Sequence, residues 1–154
     1  MNKISNWGKT FNAAFNPNQI GYVIFYVTNR CNFRCKFCFY YAEIEKGRKP
    51  EELTLEQIDK ISKSTGSLLQ LSLTGGEPFL RKDFAELTNI WIKNTSPKYV
   101  TIPTNASLKA KMLRYLHDVL PKNPSTFFRL AFSIDGIKED HDTNRSMPGS
   151  FEKI

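Results

Sequence analysis

Four times along this chain a β-branched or aromatic apolar run gives way to a polar turn and then to a segment with helical apolar spacing. No two of these runs meet across a hairpin turn. The first run, residues 20–27, reads IGYVIFYV without a polar break, which predicts a strand buried on both faces. The second carries Leu69, Leu71 and Leu73 in alternation before Gly75 and Gly76 end it. A third covers roughly residues 98–103, and the fourth, FFRLAFSID, covers residues 127–135. Helix signals fill the gaps. Thr54 with Gln57 forms a capping box ahead of Leu55, Ile58 and Ile61, in a helix ending near Gly66. Asp83 starts a second helix with Phe84, Leu87, Ile90 and Trp91, and Ser107 is placed to cap a third that runs through His117 to Leu120. Crossovers of this length imply an α/β fold in which parallel strands are wrapped by helices.

The chemistry-bearing groups fall just after those strands. All three cysteines lie in the stretch TNRCNFRCKFCFY, residues 28–40, which follows the first strand. Cys31, Cys35 and Cys38 are separated by three and then two residues. A disulfide pair leaves one cysteine over. A structural zinc site normally takes four protein ligands, and the two histidines, His117 and His141, are far away in sequence, so zinc stays open as the poorer fit. Buried apolar cysteines sit badly among Arg30, Arg34 and Lys36. An iron-sulfur cluster on three thiolates, with one iron lacking a protein ligand, is the remaining explanation, and that open iron can take a substrate. The cations would favour the thiolate form, weakened by solvent screening.

After the second strand comes GGEP, Gly75 to Pro78; after the third, TNAS with Asn105; at the end of the fourth, SIDG with Ser133 and Asp135. Taken alone, each is an ordinary strand-ending turn. Together they place every candidate group on the rim of a parallel sheet where ligands bind.

The triplet CxxxCxxC with the aromatic Phe37 before its last cysteine resembles the cluster loop of the radical S-adenosylmethionine (radical SAM) superfamily, and GGEP resembles the glycine element of that family. HDTNRSMPGSF, residues 141–151, is similar to the HDxxR…GSF segment of members that often carry a C-terminal auxiliary-cluster (SPASM-like) domain. The resemblance covers residues 20–154. It implies the first four β/α units of a six-unit partial (β/α) barrel, preceded by an N-terminal arm over residues 1–19 in which Trp7, Phe11 and Phe15 have helical spacing. It implies a 4Fe-4S cluster on Cys31, Cys35 and Cys38 that reductively cleaves S-adenosyl-L-methionine to a 5'-deoxyadenosyl radical for hydrogen abstraction. Gly75, Gly76, Glu77 and Pro78 would face the methionine amino group, with Glu77 orienting the turn. Asn105, Ser133, Asp135 and Arg145 would meet the ribose and carboxylate, and Phe37 the adenine. Arg145 could as readily form a surface salt bridge, and His141 is expected to pack at a helix terminus rather than to donate a proton. A low-potential donor such as flavodoxin or ferredoxin would supply the electron. The substrate leans towards a peptide or protein, with nucleotide chemistry behind it.

Length bounds these expectations. At 154 residues the chain predicts a core cut short after four strands, with Ser150 beginning another helix. Apolar residues make up 40% and aromatics 13%, enough for a core. No apolar run approaches the roughly 18 residues of a membrane span, and no signal peptide is visible, so a cytoplasmic setting without membrane contact is expected. The net charge of +7 is scattered, which favours a solvated surface over a nucleic-acid site. A non-catalytic iron-sulfur or zinc module acting through protein or RNA contacts is the alternative function.

Overall fold

The computed structural model of the chain describes residues 20–46 and 52–154, together with Gly8, Phe11 and Phe15. Apart from those three, the arm expected over residues 1–19, Trp7 included, lies outside the described residues. Strands β1 (Tyr22–Thr28), β2 (Gln70–Gly75), β3 (Tyr99–Thr104) and β4 (Phe127–Phe132) form one sheet in the order β1-β2-β3-β4. Every neighbouring pair is parallel. Between them run α1 (Tyr41–Glu45), α2 (Leu55–Thr65), α3 (Phe84–Thr95) and α4 (Lys109–Val119), and α5 (Glu139–Arg145) follows β4. The α/β alternation expected of the opening units of a partial (β/α) barrel is therefore present.

Strand order decides which face is covered. Consecutive parallel strands laid down in one direction by right-handed crossovers put every crossover helix on the same side. Leu71, Leu73, Val100 and Ile102 are fully buried against Ile58 of α2, Leu87 and Trp91 of α3, and Met112, Tyr115 and Val119 of α4 in a single core. Val23, Phe25 and Val27 bring β1 into that core. The opposite face is open: Tyr22, Ile24 and Tyr26 are each about half exposed, as are Tyr99 and Phe127. The expectation that β1 is buried on both faces is thus corrected. Its unbroken apolar run splits by the two-residue period of a strand into a helix-facing set and a set on the uncovered face.

The helix starts are partly as expected. Thr54 and Gln57 make the capping box, with Gln57 N–H donating to Thr54 Oγ1 (3.3 Å) and Thr54 N–H to Gln57 Oε1 (2.8 Å). Asp83 precedes α3 but does not cap it, because Arg81 Nε holds its carboxylate at 2.7 Å, which keeps the Asp83 carboxyl below its usual range. Ser107 does not cap α4 either; its hydroxyl is used elsewhere on the rim, and Leu108 takes the cap position without a side-chain bond. Ser150 opens only a 3₁₀ turn, Phe151–Lys153, and donates its hydroxyl to Asp142. Two short helices, α1 and α5, escape the periodicity argument because they are about as long as one or two turns.

Candidate functional site

The cysteine loop leaves β1 at Thr28 and is shaped by its own backbone: Cys38 N–H donates to Cys35 O and Tyr41 N–H to Cys38 O, each at 3.0 Å. Phe33, buried in the fold, anchors the loop, and its N–H donates to Cys31 Sγ at 3.4 Å. All three cysteines are free thiols; Cys35 is buried, Cys31 and Cys38 half-buried. Burial pushes the Cys31 thiol up from its ordinary range, the Phe33 amide opposing, so a metal that binds there must displace a proton. The expected help from the neighbouring cations is largely spent elsewhere. Arg30 pairs with Glu52 (2.8 Å) and Arg34 with Glu45 (3.0 Å), while Arg34 Nη1 also holds the loop carbonyls of Cys31 (2.9 Å) and Phe33 (3.0 Å).

The glycine turn is built into this loop. Gly76 N–H donates to Thr28 O at 2.9 Å and Glu77 N–H to Arg30 O at 2.8 Å. A Cβ on Gly76 would lie 2.2 Å from Arg30 O and 3.0 Å from Cys31 Cβ, and one on Gly75 would lie 2.2 Å from Thr28 O. Both positions need glycine because two backbones touch here. Pro78 opens a buried 3₁₀ turn, Pro78–Leu80, whose Phe79 N–H donates to Glu77 Oε1 (3.3 Å).

Glu77 is buried and binds the next rim segment: Thr104 Oγ1–H donates to its Oε1 at 2.8 Å and Asn105 N–H to its Oε2 at 2.9 Å. Burial raises its carboxyl above the ordinary range, with those donors pulling back. A carboxylate committed to three donors is a tether, in line with the orienting part expected of it. Asn105 in turn donates its amide to Asn32 Oδ1 (2.9 Å), between two of the cysteines, and accepts from Ser107 Oγ (2.7 Å), while Asn32 Nδ2 donates to Ser107 Oγ (2.9 Å).

On the far side Ser133 N–H donates to Thr104 O at 3.0 Å, which seats the end of β4 against the TNAS turn; the Ser133 hydroxyl has no protein partner among the described residues. Asp135 pairs with Arg145 Nη2. Arg145 Nη1 donates to Cys35 Sγ at 3.7 Å, and its guanidinium lies 5.4 Å from the centre of the Phe37 ring. Phe37 itself is 58% exposed, so core packing does not explain it. His141 is buried, accepts from Asp135 N–H at Nδ1 (3.2 Å) and meets Phe151 edge-on, which makes it a packing residue of the SIDG turn. His117 lies exposed beside Asp118 on α4 and takes no part in the rim.

The four rim motifs are therefore one circuit: cysteine loop to glycine turn, glycine turn to TNAS, TNAS to SIDG, and SIDG through Arg145 back to Cys35. Residues that the motifs did not single out help to close it. Asn32 and Thr104 are short polar residues inside those motifs, the one signal the sequence offered. Glu52 accepts from Thr28 Oγ1 (2.5 Å), and Arg81 donates to Val27 O (2.8 Å) and Leu53 O (2.7 Å), neither being flagged by any spacing. A groove of about 420 Å³ on the helix layer, bordered by Lys82, Glu86, Lys111, Arg114 and Asp118, contains none of the candidate residues.

The donor set fits a three-thiolate cluster. Among the described residues no three His, Cys, Asp or Glu side chains are gathered so as to hold a single metal ion. The three thiols are free and share one loop, the donor chemistry that a cluster with one iron for each would need. No helix among the described residues is long and apolar enough to cross a membrane.

Comparison with known proteins places the chain in context. The family model of the radical SAM superfamily matches residues 25–154. A GTP 3',8-cyclase of Clostridium botulinum (strain Hall) is 33% identical over 139 residues, 88% of this chain and 41% of the relative. Its counterpart in Pasteurella multocida is 30% identical over 133 residues, 82% of this chain and 40% of the relative. One from Desulforamulus reducens is 28% identical over 142 residues, 91% and 42%. The chain thus spans about two fifths of the length of these curated relatives.

Proposed function

The chain belongs to the radical SAM superfamily, and from that membership we propose that Cys31, Cys35 and Cys38 hold a 4Fe-4S cluster at which S-adenosyl-L-methionine is bound and cleaved. The observation that carries this reading is the closed circuit of hydrogen bonds joining the cysteine loop to the three other rim motifs. Held by Cys31, Cys35 and Cys38, such a cluster would pass one electron from an external low-potential donor to the sulfonium, the chemistry by which a carbon-sulfur bond of S-adenosylmethionine would be cleaved reductively. The protein's own part is to bind, orient and exclude water.

In this reading the backbone of Gly75 and Gly76 lies flat beside the cysteine loop and takes the ammonium of the methionine moiety, with Pro78 fixing the turn. Ser133 is the best-placed side chain for the ribose or carboxylate, since its hydroxyl is not committed to the protein. Asn105 is held at both ends of its amide, so its contribution is to shape the pocket wall. Phe37 offers an exposed ring to the adenine. Asp135 and Arg145 border the same space as a pair.

For the substrate we propose a purine nucleotide as the first class, since the relatives bear the name GTP 3',8-cyclase. The open sheet face supports it with Tyr26, near the end of β1, for stacking and an exposed Arg129, which has no ion-pair partner among the described residues, for phosphate. The peptide expectation draws no support from the comparisons. A low-potential flavodoxin or ferredoxin would serve as reductant.

The test is anaerobic reconstitution of the 154-residue chain with iron and sulfide, followed by S-adenosylmethionine and a strong reductant. Formation of 5'-deoxyadenosine that disappears in C31S, C35S and C38S is the expected result. A reconstituted protein whose electron paramagnetic resonance spectrum ignores S-adenosylmethionine overturns the reading and favours a non-catalytic metal module.

A further inference from the structure

Arg145 reaches the cysteine loop from 110 residues away in sequence and is the one side-chain donor to any of the three sulfurs among the described residues. Its other terminal nitrogen pairs with Asp135, its plane lies over Phe37, and its side chain is 13% exposed. Three contacts on three sides leave the guanidinium little freedom to turn. Its base is fixed as well. Asp142 binds the segment after α5, accepting from Gly149 N–H (2.5 Å), Ser150 Oγ (2.9 Å) and Phe151 N–H (2.9 Å), while His141 ties the start of the helix to Asp135. The HDxxR…GSF segment is thus a clasp whose free end is one guanidinium aimed at Cys35.

Building on the cluster reading above, we propose that Arg145 is a positioning residue for the Cys35 thiolate and sets the reduction potential of the cluster, with Asp135 acting through it. Hydrogen bonds to the sulfurs and the local charge are two of the levers a protein has on such a potential. A reduced cluster is one electron more negative than an oxidised one, so a nearby fixed cation stabilises the reduced form. A guanidinium does this with little loss of hydration, and partial burial weakens screening. Arg30 and Arg34 are poorer candidates: each is paired with a carboxylate, as Arg145 is, but among the described residues neither donates to a sulfur. Asp135 offsets part of the Arg145 charge but fixes its direction; without it the donor swings towards solvent and the bond to sulfur is lost. Phe37 closes the remaining side.

The experiment measures the midpoint potential of the reconstituted 154-residue chain by spectroscopically monitored reduction, without S-adenosylmethionine. Three cysteines in the chain mean one cluster and one potential. R145Q, with unchanged iron and sulfide content, shifts the midpoint to a more negative value. R145K keeps the charge but loses the planar fork, so its shift is smaller and in the same direction; D135N behaves like R145K. If R145Q takes up no cluster, R145K decides alone, and a midpoint equal to that of the unsubstituted chain overturns the proposal. A midpoint unmoved in R145Q while S-adenosylmethionine binds more weakly also overturns it, assigning Arg145 to the carboxylate of that molecule. Failure of the unsubstituted chain to assemble a cluster strikes the earlier reading instead.

Discussion

The cysteine loop is gripped from two sides by different means. On the β2 side the grip is backbone against backbone, through Gly76 N–H to Thr28 O and Glu77 N–H to Arg30 O, with no room for a side chain at either glycine. On the α5 side a single guanidinium spans the gap to Cys35. The first contact has no adjustable part, because any added atom collides with main chain. The second can be lengthened, discharged or released without moving a strand. One side decides where the sulfurs stand, and the other decides what they feel.

The sharpest way to break that contrast is Gly76→Ala. Its new Cβ falls 2.2 Å from Arg30 O, so the loop or the turn must shift. We expect a loss of roughly 3 kcal/mol, the upper end of ordinary overpacking, and a protein that no longer assembles a cluster. Thermal unfolding together with iron analysis checks both; full cluster content at native stability would show that the backbone grip does not set the loop. A smaller effect is expected at Glu77→Gln. The amide keeps one acceptor but turns its NH₂ against Asn105 N–H, which leaves a buried donor unmatched at about 1–3 kcal/mol. Here the sign of the pH dependence is informative. Because burial raises the Glu77 carboxyl, its contribution is fully present below the ordinary carboxylate range and is lost as pH rises through the native value. Denaturant unfolding from mildly acid to neutral pH should therefore show the advantage of the unsubstituted chain over E77Q shrinking as pH rises. A difference that stays constant places the charge of Glu77 outside the balance.

The two sides also differ in how far the sequence disclosed them. The β2 side was legible: the GG pair after an alternating strand marks a site of close backbone approach, and the cysteine spacing marks its neighbour. What it hid was the reason, since the glycines make room for the cysteine loop itself whatever else they bind. The sheet and its three long helices were legible from periodicity. The open face of β1 was not, because an unbroken apolar run carries no record of which residues the helices cover. On the α5 side the motif HDxxR…GSF was visible but its mechanics were not. A helix of seven residues leaves no periodic signature, and the reach of Arg145 to Cys35 is a long-range contact that no local rule contains. Ser107 and Asp83 misled for one reason. Both have the chemistry of a cap and both are bound otherwise: Ser107 by Asn105 and Asn32 on the rim, Asp83 by Arg81 two residues before it.

The smallest expected effect belongs to the clasp that supports Arg145, and it separates the two grips most cleanly. Asp142 holds three donors from the GSF segment, and those bonds keep its carboxyl below the usual range. A group of that kind contributes above its ordinary range, and the contribution fades as pH falls through the lowered native value. Acidification, or Asp142→Asn at neutral pH, should therefore speed amide hydrogen exchange at Gly149 and Phe151, which lose their acceptor. The amides of Gly76 and Glu77 bond to main-chain carbonyls that do not titrate, so their exchange should hold steady over the same range. Loosening confined to the clasp would mean that the α5 side can open while the sulfurs keep their places. Equal loosening at all four amides would instead join the two grips into one cooperative unit, and the guanidinium would then be no more adjustable than the glycines.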